Sequence, residues 1–382
     1  LLLFCLAPVL TPSSQVPSLV QPTDPDQQVI EDFLQNTESE GTFDFNTIFE
    51  ELDFYRENPL NLNEVTEGQL QDLNLLSDIQ ILEFFNYRRT AGEFISIYEL
   101  QAIPSFDLLT IRRLLPFVQV GGDLDDYQTP IWQMLTEGRN ELYLRWARIL
   151  EEQRGYTPLG EGETGSRYLG DPNQFYMRYK HAYSNRLSFG FTAEKDRGEE
   201  FFKGSNPYGF DFYSVHLFLK DYSRHIKAVA LGDFAVSFGQ GLILYSGFGY
   251  GKSSLVMNIK RTSRTLRPYT SVNESLFQRG GGVTLAFGDH LEVTALGSHR
   301  RRSANLLEAD TTDLEDEIRR ASSLDLDGLH RTPNEIADEG AIGQTTIGGQ
   351  AKWSNRYGHI ALNGLYEELD AELSQFRPTP NN

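Results

Sequence analysis

One stretch of the chain gathers arginines around a single acid, a pattern suited to holding or attracting an anion. The cluster comprises Arg261, Arg264, Arg267, Glu274 and Arg279. In a strand, alternating polar positions point to one face, and a ring of one charge sign biases which solute enters a pore. A structural interpretation is favoured, because a buried arginine requires a carboxylate partner and Glu274 can supply one. Attraction of an anionic solute is the alternative.

A second group of arginines is suited to contacting a DNA backbone. It comprises Arg88, Arg89, Arg112 and Arg113. Glycine-rich hairpins let backbone amides approach a phosphate, but Asn74–Asp78 and Pro104–Asp107 contain no glycine and each contains an acid. The net charge of -20 also opposes binding to a polyanion. DNA binding is therefore an alternative to a scaffold role.

Other motifs that resemble reactive sites fail on spacing. Gly247–Ser253 resembles a phosphate-binding loop, but Ser246 occupies the position of its first glycine. Asp310–Glu317 is acidic but lacks the spacing and glycine of an EF-hand, and the histidines show no zinc-binding spacing. No serine lies in a nucleophile elbow. We therefore predict no enzyme activity, no metal site and no cofactor.

The N-terminal part of the chain carries the signals of short helices. Capping boxes mark three helix starts: Thr66 with Gln69, Ser77 with Gln80, and Ser96 with Glu99. The spacing of Ile79 and Leu82 predicts one apolar face, with Ile81 beside it. These features predict a compact bundle of short helices.

After Asp126 the sequence changes to alternating, aromatic-rich segments typical of strands. The predicted strands are 142–151, 174–183, 186–196, 210–220, 226–238, 281–287, 291–300, 344–353 and 359–368. Every second connection is short and the others are long, which is the rule for outer-membrane β-barrels. A soluble β-domain is the alternative, since sandwiches also contain hairpins of mixed loop length.

The strand count is odd, whereas single-chain bacterial barrels contain an even number. Nine strands are predicted, or eleven if Gly239–Arg279 contributes a pair. We therefore expect further strands that this chain lacks.

The whole chain then divides into five parts, and the predicted fold is a small all-α helix-hairpin-helix domain followed by an antiparallel transmembrane β-barrel. The cysteine count and the first ten residues favour a secretory signal without a disulfide framework. The parts are a residual signal peptide (1–15), a linker (16–29), an acidic helical segment (30–57), a tandem helix-hairpin-helix-like domain (58–120) and a barrel incomplete at its C-terminus (126–382).

The helical part resembles a known module. The matching residues are Leu60–Asn63, Leu70, Tyr87–Arg89, Gly92–Phe94, Glu99–Leu100 and Leu115–Pro116. They resemble the tandem helix-hairpin-helix domain of competence-type DNA receptors. The resemblance implies contact with DNA through the hairpins, and the missing glycines depart from that pattern.

A second resemblance spans nearly the whole chain. Its residues are Leu231–Asp233, Phe238–Leu242, Gly247–Phe248, Gly251–Ser253, Arg267–Tyr269, Asn273–Glu274, Arg279–Gly280 and Leu329–Glu335. They resemble Gram-negative proteins, mostly of unassigned function, that join a periplasmic helix-hairpin-helix segment to a large outer-membrane barrel. The resemblance implies an outer-membrane location and a longer chain, but no activity.

These observations predict transport or handling of a molecule at the outer membrane. The helical domain would lie in the periplasm, where it plugs the barrel or docks a periplasmic protein partner, and outer-membrane lipid would contact the barrel. DNA binding during uptake and a structural or assembly adaptor are the alternatives.

Overall fold

The computed structural model describes most of the chain after Tyr55. The described residues are 55–56, 59–63, 65, 69–70, 73, 75–120, 129–184, 186–245, 265–288, 290–307, 319–355 and 358–374. Several predicted parts lie outside them. These are the signal peptide and linker, nearly all of the acidic helical segment 30–57, the stretch Gly247–Ser253, Arg261, Arg264 and the acidic stretch Asp310–Glu317.

Residues 59–120 form a small helical unit around an apolar core that includes Leu62, Leu70, Phe84 and Leu100. Its elements are β1 (Leu60–Asn61), α1 (Asp78–Ala91), a 3-10 helix (Ile97–Ala102), α2 (Leu108–Leu114), a 3-10 turn (Leu115–Phe117) and β2 (Val118–Gln119). β1 pairs in parallel with β2, which ties the two ends of the unit together.

Two of the three predicted capping boxes are confirmed. Ser77 and Gln80 cap the start of α1 reciprocally, and Ser96 and Glu99 do so for the 3-10 helix. Thr66 of the third box lies outside the described residues. None of the described helices combines the length and the apolar character needed to span a membrane.

The predicted apolar face of α1 is wrong. Ile81 and Phe84 are buried, whereas Ile79 and Leu82 are 48% and 61% exposed. The helix carries apolar residues on both sides, and the packing of the unit selects the side that includes Phe84.

The described part of the C-terminal half contains nine long antiparallel strands, preceded by the short helix α3 (Ile131–Thr136). They confirm the nine predicted strands, with the first strand three residues earlier than expected. The strands are β3 (Arg139–Arg148), β4 (Asn173–Tyr183), β5 (Leu187–Lys195), β6 (Phe212–Lys220), β7 (Ile226–Phe238), β10 (Gln278–Phe287), β11 (Leu291–Arg302), β14 (Ile342–Asn355) and β15 (Gly358–Leu369).

Each long strand pairs with the long strand that follows it in the chain. Within the described residues, β3 and β15 form the two edges and are not paired with each other, so the sheet is not closed. Two short strands, β8 (Leu244–Tyr245) and β9 (Leu266–Pro268), both pair with β7. In the described part of 239–279, the expected additional pair consists of these two short strands beside β7.

The remaining described elements lie in the connection between β11 and β14 and after β15. They are β12 (Ala304–Leu306), β13 (Arg320–Leu324), α4 (Pro333–Asp338) and β16 (Glu372–Leu373), and the three strands form a small separate sheet.

Connection length separates the two ends of the large sheet. The short connections β4–β5, β6–β7, β10–β11 and β14–β15 lie at one end, which we call the turn end. The long connections β3–β4, β5–β6, β7–β10 and β11–β14 lie at the opposite end, the loop end. This alternation is the one predicted from the sequence.

The two faces of the sheet differ in polarity. On the outer face the strand register aligns Phe189 with Leu217, Leu217 with Leu231 and, further along the same row, Ile347 with Tyr366. Leu231, Ile347 and Tyr366 are exposed. The side chains of this row are apolar although they face outward.

The inner face carries buried polar side chains beside an apolar cluster that includes Phe218, Phe234 and Leu296. Thr192 aligns with Ser214 and Ser298 aligns with Thr346, and all four are buried. His216 on β6 is also buried on this face and contacts Ser188. The sheet thus exposes apolar side chains on its outer face and buries polar side chains together with this cluster on its inner face, whereas the exposed face of a water-soluble sheet is polar.

Candidate functional site at the loop end of the sheet

The long connections pack against one another at the loop end. Leu169 N–H donates to Arg331 O at 2.9 Å, and Gly170 N–H donates to Gly198 O at 2.9 Å. A Cβ on Gly170 would lie 1.7 Å from Glu199 O, so the close approach of the β3–β4 and β5–β6 connections requires glycine there. We call this assembly of connections the cap.

His330 lies at the centre of the cap and is 2% exposed. Its Nδ1 is 2.8 Å from Asp211 Oδ2, and its Nε2 is 3.0 Å from Ser303 Oγ. Its backbone N–H donates to Glu199 Oε1 at 3.0 Å. One residue of the β11–β14 connection therefore binds both ends of the β5–β6 connection.

The carboxylates that contact His330 are held by further hydrogen bonds. Asn206 Nδ2 donates to Asp211 Oδ1 at 3.2 Å, and Asp196 N–H donates to Glu199 Oε2 at 2.7 Å. Both Glu199 and Asn206 are buried. The positions of the carboxylate oxygens are thus fixed by neighbouring groups.

The electrostatics of the cap favour bound protons. Burial, followed by the charge of Asp211, raises the pKa of Glu199 to about 8. The same two causes raise the pKa of Asp196 and raise that of Glu274 well above its usual value. Burial alone would lower the pKa of His330, but the hydrogen bond and charge of Asp211 outweigh it and raise that pKa to about 9.

Basic residues at the rim of the cap are already paired. Arg331 forms an ion pair with Glu335 at 3.0 Å and lies over the Tyr168 ring, 4.8 Å from its centroid. The fully buried Lys195 ammonium is 3.0 Å from Asp171 Oδ1. These pairs fix the rim, and the charges of Arg331 and Arg197 act on Asp196 while that of Arg331 also acts on Glu199.

A cavity of about 170 Å³ opens beside the network. It is lined by Gln153, Tyr168, Asp196, Arg197, Leu329 and Arg331. The Arg197 Nε atom is buried and has no hydrogen-bond partner. The cavity is large enough for a small polar molecule and presents groups of both charge signs.

The cap also offers ligand atoms for a cation. Glu199, Asp211 and His330 place one potential ligand atom each within 4.8 Å of one another. An imidazole nitrogen with carboxylate oxygens is a donor set used by divalent metal ions.

The arginines predicted to contact phosphate lie in different environments. Arg88 Nη1 donates to the carbonyl oxygens of Leu62, Asn63 and Val65 at 2.9–3.2 Å, so this side chain is engaged inside the unit. Arg89 is exposed at the end of α1 and donates to Asn86.

Arg112 and Arg113 both lie in the last turn of α2, where Arg112 is exposed and Arg113 is half-buried. Binding of DNA by these arginines stays a prediction.

The predicted arginine cluster divides in the structure. Arg279 makes a bidentate ion pair with the buried Asp233, with distances of 2.7 and 2.9 Å. Arg267 lies in β9, and Glu274 lies in the β7–β10 connection near His330 rather than in an ion pair with an arginine of the described residues. Arg261 and Arg264 lie outside the described residues.

Sequence inspection missed the network around His330 because its members are far apart in the chain. His330 is 131 residues from Glu199 and 119 from Asp211. A search for short histidine spacings cannot detect such a set. The one local signal is Thr332 followed by Glu335, the capping box that starts α4 directly after His330.

Comparison with known proteins gives no relative. No protein-family model matches the chain, and neither the curated proteins nor the solved structures contain a significant match.

Proposed function

We propose that this chain is an outer-membrane β-barrel protein with a periplasmic helical domain, acting in the transport or handling of a molecule at the outer membrane. The observation that carries the proposal is the exposed apolar outer face of the sheet. Apolar side chains such as Val215, Leu231 and Leu362 are exposed on the outer face, while Thr192, Ser214 and Thr346 are buried on the inner face. In a bilayer, lipid covers an apolar outer face, and the polar face lines the interior of a barrel.

The dimensions of the strands support the same proposal. The nine long strands of the described residues contain 9 to 14 residues each, and a tilted strand needs about 9–11 residues to cross the hydrocarbon region. The segregation of short and long connections also follows the rule of these barrels.

Exposed aromatic residues lie near both ends of the outer face. Trp146, Tyr213 and Tyr366 are near the loop end, and Phe287 and Trp353 are near the turn end. Transmembrane barrels carry aromatic girdles at the two membrane interfaces. In this proposal the loop end is external, and the cap is the surface that meets a molecule from outside the cell.

Quenching of tryptophan fluorescence by brominated lipids tests lipid contact. The full chain is refolded into phosphatidylcholine vesicles with brominated acyl chains, in single-tryptophan variants that retain Trp146 or Trp353. We expect strong quenching of both. The matched control combines Lys352→Trp with replacement of the three native tryptophans by Phe, because Lys352 neighbours Trp353 at the same depth on the opposite face.

The control tryptophan should be quenched much less than the one at position 353. Equal quenching on the two faces, or no quenching of Trp146 and Trp353, would contradict insertion of the sheet in lipid.

A further inference from the structure

A second cavity lies at the turn end of the sheet, at the opposite end from the cap. Its volume is about 720 Å³. Ala286, Glu292 and Lys352 line it from the inner face, where the strand register aligns Glu292 with both of the others. Further lining residues lie in or beside three neighbouring hairpin turns: Arg224, His225, Lys227, His290 and Ser354. We call this cavity the basic mouth.

The basic mouth has the opposite charge balance from the whole chain. The sequence contains 54 acidic residues and 34 Lys and Arg residues. Among the described lining residues, by contrast, Glu292 is the one acid, whereas three are Arg or Lys and two are His. The neighbouring Asp221 carboxylate lies 3.6 Å from Lys227 and 3.7 Å from Lys220, so it serves two ammonium groups. Positive charge therefore exceeds negative charge among the described groups of the mouth.

Several donors of the basic mouth are not committed to other groups. Arg224 is exposed and makes no hydrogen bond or ion pair within the described part of the chain. The Lys352 ammonium lies 3.7 Å from Glu292, beyond hydrogen-bonding distance, and the two side chains are 39% and 44% exposed. His290 Nδ1–H donates to Ser354 O at 3.0 Å, which leaves Nε2 of that ring to share a proton with a ligand oxygen.

Hydrogen bonds between the hairpins hold these groups in place. Ser354 N–H donates to His290 O at 2.8 Å, and Ala286 N–H donates to His225 O at 2.7 Å. The carbonyl oxygens of Ser354, His290 and His225 are thus occupied by donors of the protein itself. A frame that is formed before the ligand arrives lowers the cost of ordering on binding.

We propose that the basic mouth binds a phosphate-bearing ligand. Arg224 and Lys352 donate charge-assisted hydrogen bonds to the phosphate oxygens, and the imidazoles of His225 and His290 flank them. Cations that come from separate hairpins suit an anion with several oxygens and more than one charge, whereas a planar carboxylate suits a single arginine. The chemistry is the same whether the phosphate belongs to a soluble compound or to a lipid headgroup. The inference does not depend on insertion of the sheet in lipid.

Binding of pyrophosphate by the full-length folded protein tests the site. The probe is titrated by calorimetry into protein in a non-ionic detergent at low salt. A second titration uses short-chain phosphatidylglycerol in the same detergent. Binding of pyrophosphate alone assigns the mouth to a soluble compound, binding of phosphatidylglycerol alone assigns it to a lipid headgroup, and binding of both supports the shared phosphate chemistry.

Two substitutions should weaken binding of the bound probe. Arg224→Gln and Lys352→Gln should each lower the affinity by at least about fivefold, because each removes a charged donor. Neither should disturb the fold, since Arg224 has no partner in the described residues and a partly exposed ion pair such as Lys352 with Glu292 contributes little to stability. Arg148→Gln is the matched control, because it removes the same charge from an exposed position at the loop end of β3. Its affinity should equal that of the native protein.

Three results would overturn the assignment. The folded native protein binds neither probe, the two substitutions leave the affinity unchanged, or Arg148→Gln weakens binding as much as they do. The last result would mean that net charge attracts the probe without a defined site. Lipid quenching of Trp146 and Trp353 is measured separately, so a failure of the phosphate site and a failure of the membrane proposal give different results.

Discussion

A charge placed on the outer face distinguishes a lipid-facing sheet from a water-facing one. Leu231 lies on β7 and is 51% exposed. In water, replacing such a surface side chain changes the free energy of unfolding by about 0.5 kcal/mol or less. We expect a far larger effect for Leu231→Arg because of its depth in the bilayer.

The depth follows from the strand geometry. Leu231 is five residues from the start of β7 at the turn end. With a rise of about 3.3 Å per residue and a tilt of about 45°, it lies about 12 Å from that end. The apolar band of such barrels is about 25 Å tall, so Leu231 lies near its middle. An arginine there costs about 2–4 kcal/mol.

Phe287→Arg provides the comparison at the membrane interface. Phe287 is the last residue of β10 at the turn end, and it is also exposed. An arginine near the interface costs about 0–1 kcal/mol. Urea-induced unfolding of both variants in lipid vesicles, followed by tryptophan fluorescence, measures the two values. If the costs of Leu231→Arg and Phe287→Arg agree within about 0.5 kcal/mol, the depth argument fails.

The other predictions concern the cap and the helical unit. Stability should fall as the pH rises from about 5 to 9, because His330 and Glu199 have folded-state pKa values of about 9 and about 8, above their usual 6.5 and 4.5, so the folded state binds more protons. At about 1.4 kcal/mol per pKa unit, the His330 shift alone corresponds to a loss on the order of 3 kcal/mol, and the Glu199 shift adds to it; thermal unfolding across this pH range measures the loss, and a rise in stability would contradict the direction of these shifts. Gly170→Ala should weaken the packing of the β3–β4 connection against the β5–β6 connection, since its Cβ would clash with Glu199 O. Hydrogen exchange of the Gly198 amide, which donates to Asp171 O across these connections, should become faster. An unchanged exchange rate would show that glycine is not needed at this close approach. Arg88→Ala should destabilise the helical unit by about 2–4 kcal/mol, because three carbonyl oxygens lose their donor. The exposed Arg89 is the control, and Arg89→Ala should cost under about 0.5 kcal/mol. Equal midpoints of the two variants in denaturant unfolding would refute the difference.

The strands could be predicted because their signal is local. Alternation within β5 and β6 places apolar residues such as Phe191 and Val215 on one face, and β7 was located to its first and last residue, Ile226 and Phe238. The start of β3 was missed by three residues because Arg139, Asn140 and Glu141 carry no apolar alternation. Closure of the sheet depends on whether its two edge strands pair with each other, and no local sequence pattern predicts that pairing.

The buried side of α1 and the members of the cap could not be predicted for a shared reason. Both depend on which distant segment packs against a residue. Ile79 and Ile81 are equally apolar, and only the tertiary contacts of the unit bury Ile81. In the same way, Glu199 and His330 belong to separate connections and gain their chemistry only when the sheet brings those connections together.

The position of His330 also sets the order in which the protein can assemble. Its partners Asp211 and Glu199 are translated more than a hundred residues earlier. The hydrogen bonds that join them to His330 cannot form until the strands β6 to β11 have paired. The network therefore requires these strands to be paired in the correct register. A mispaired hairpin between them would separate His330 from Asp211 and Glu199 and leave two acids without their His330 contacts.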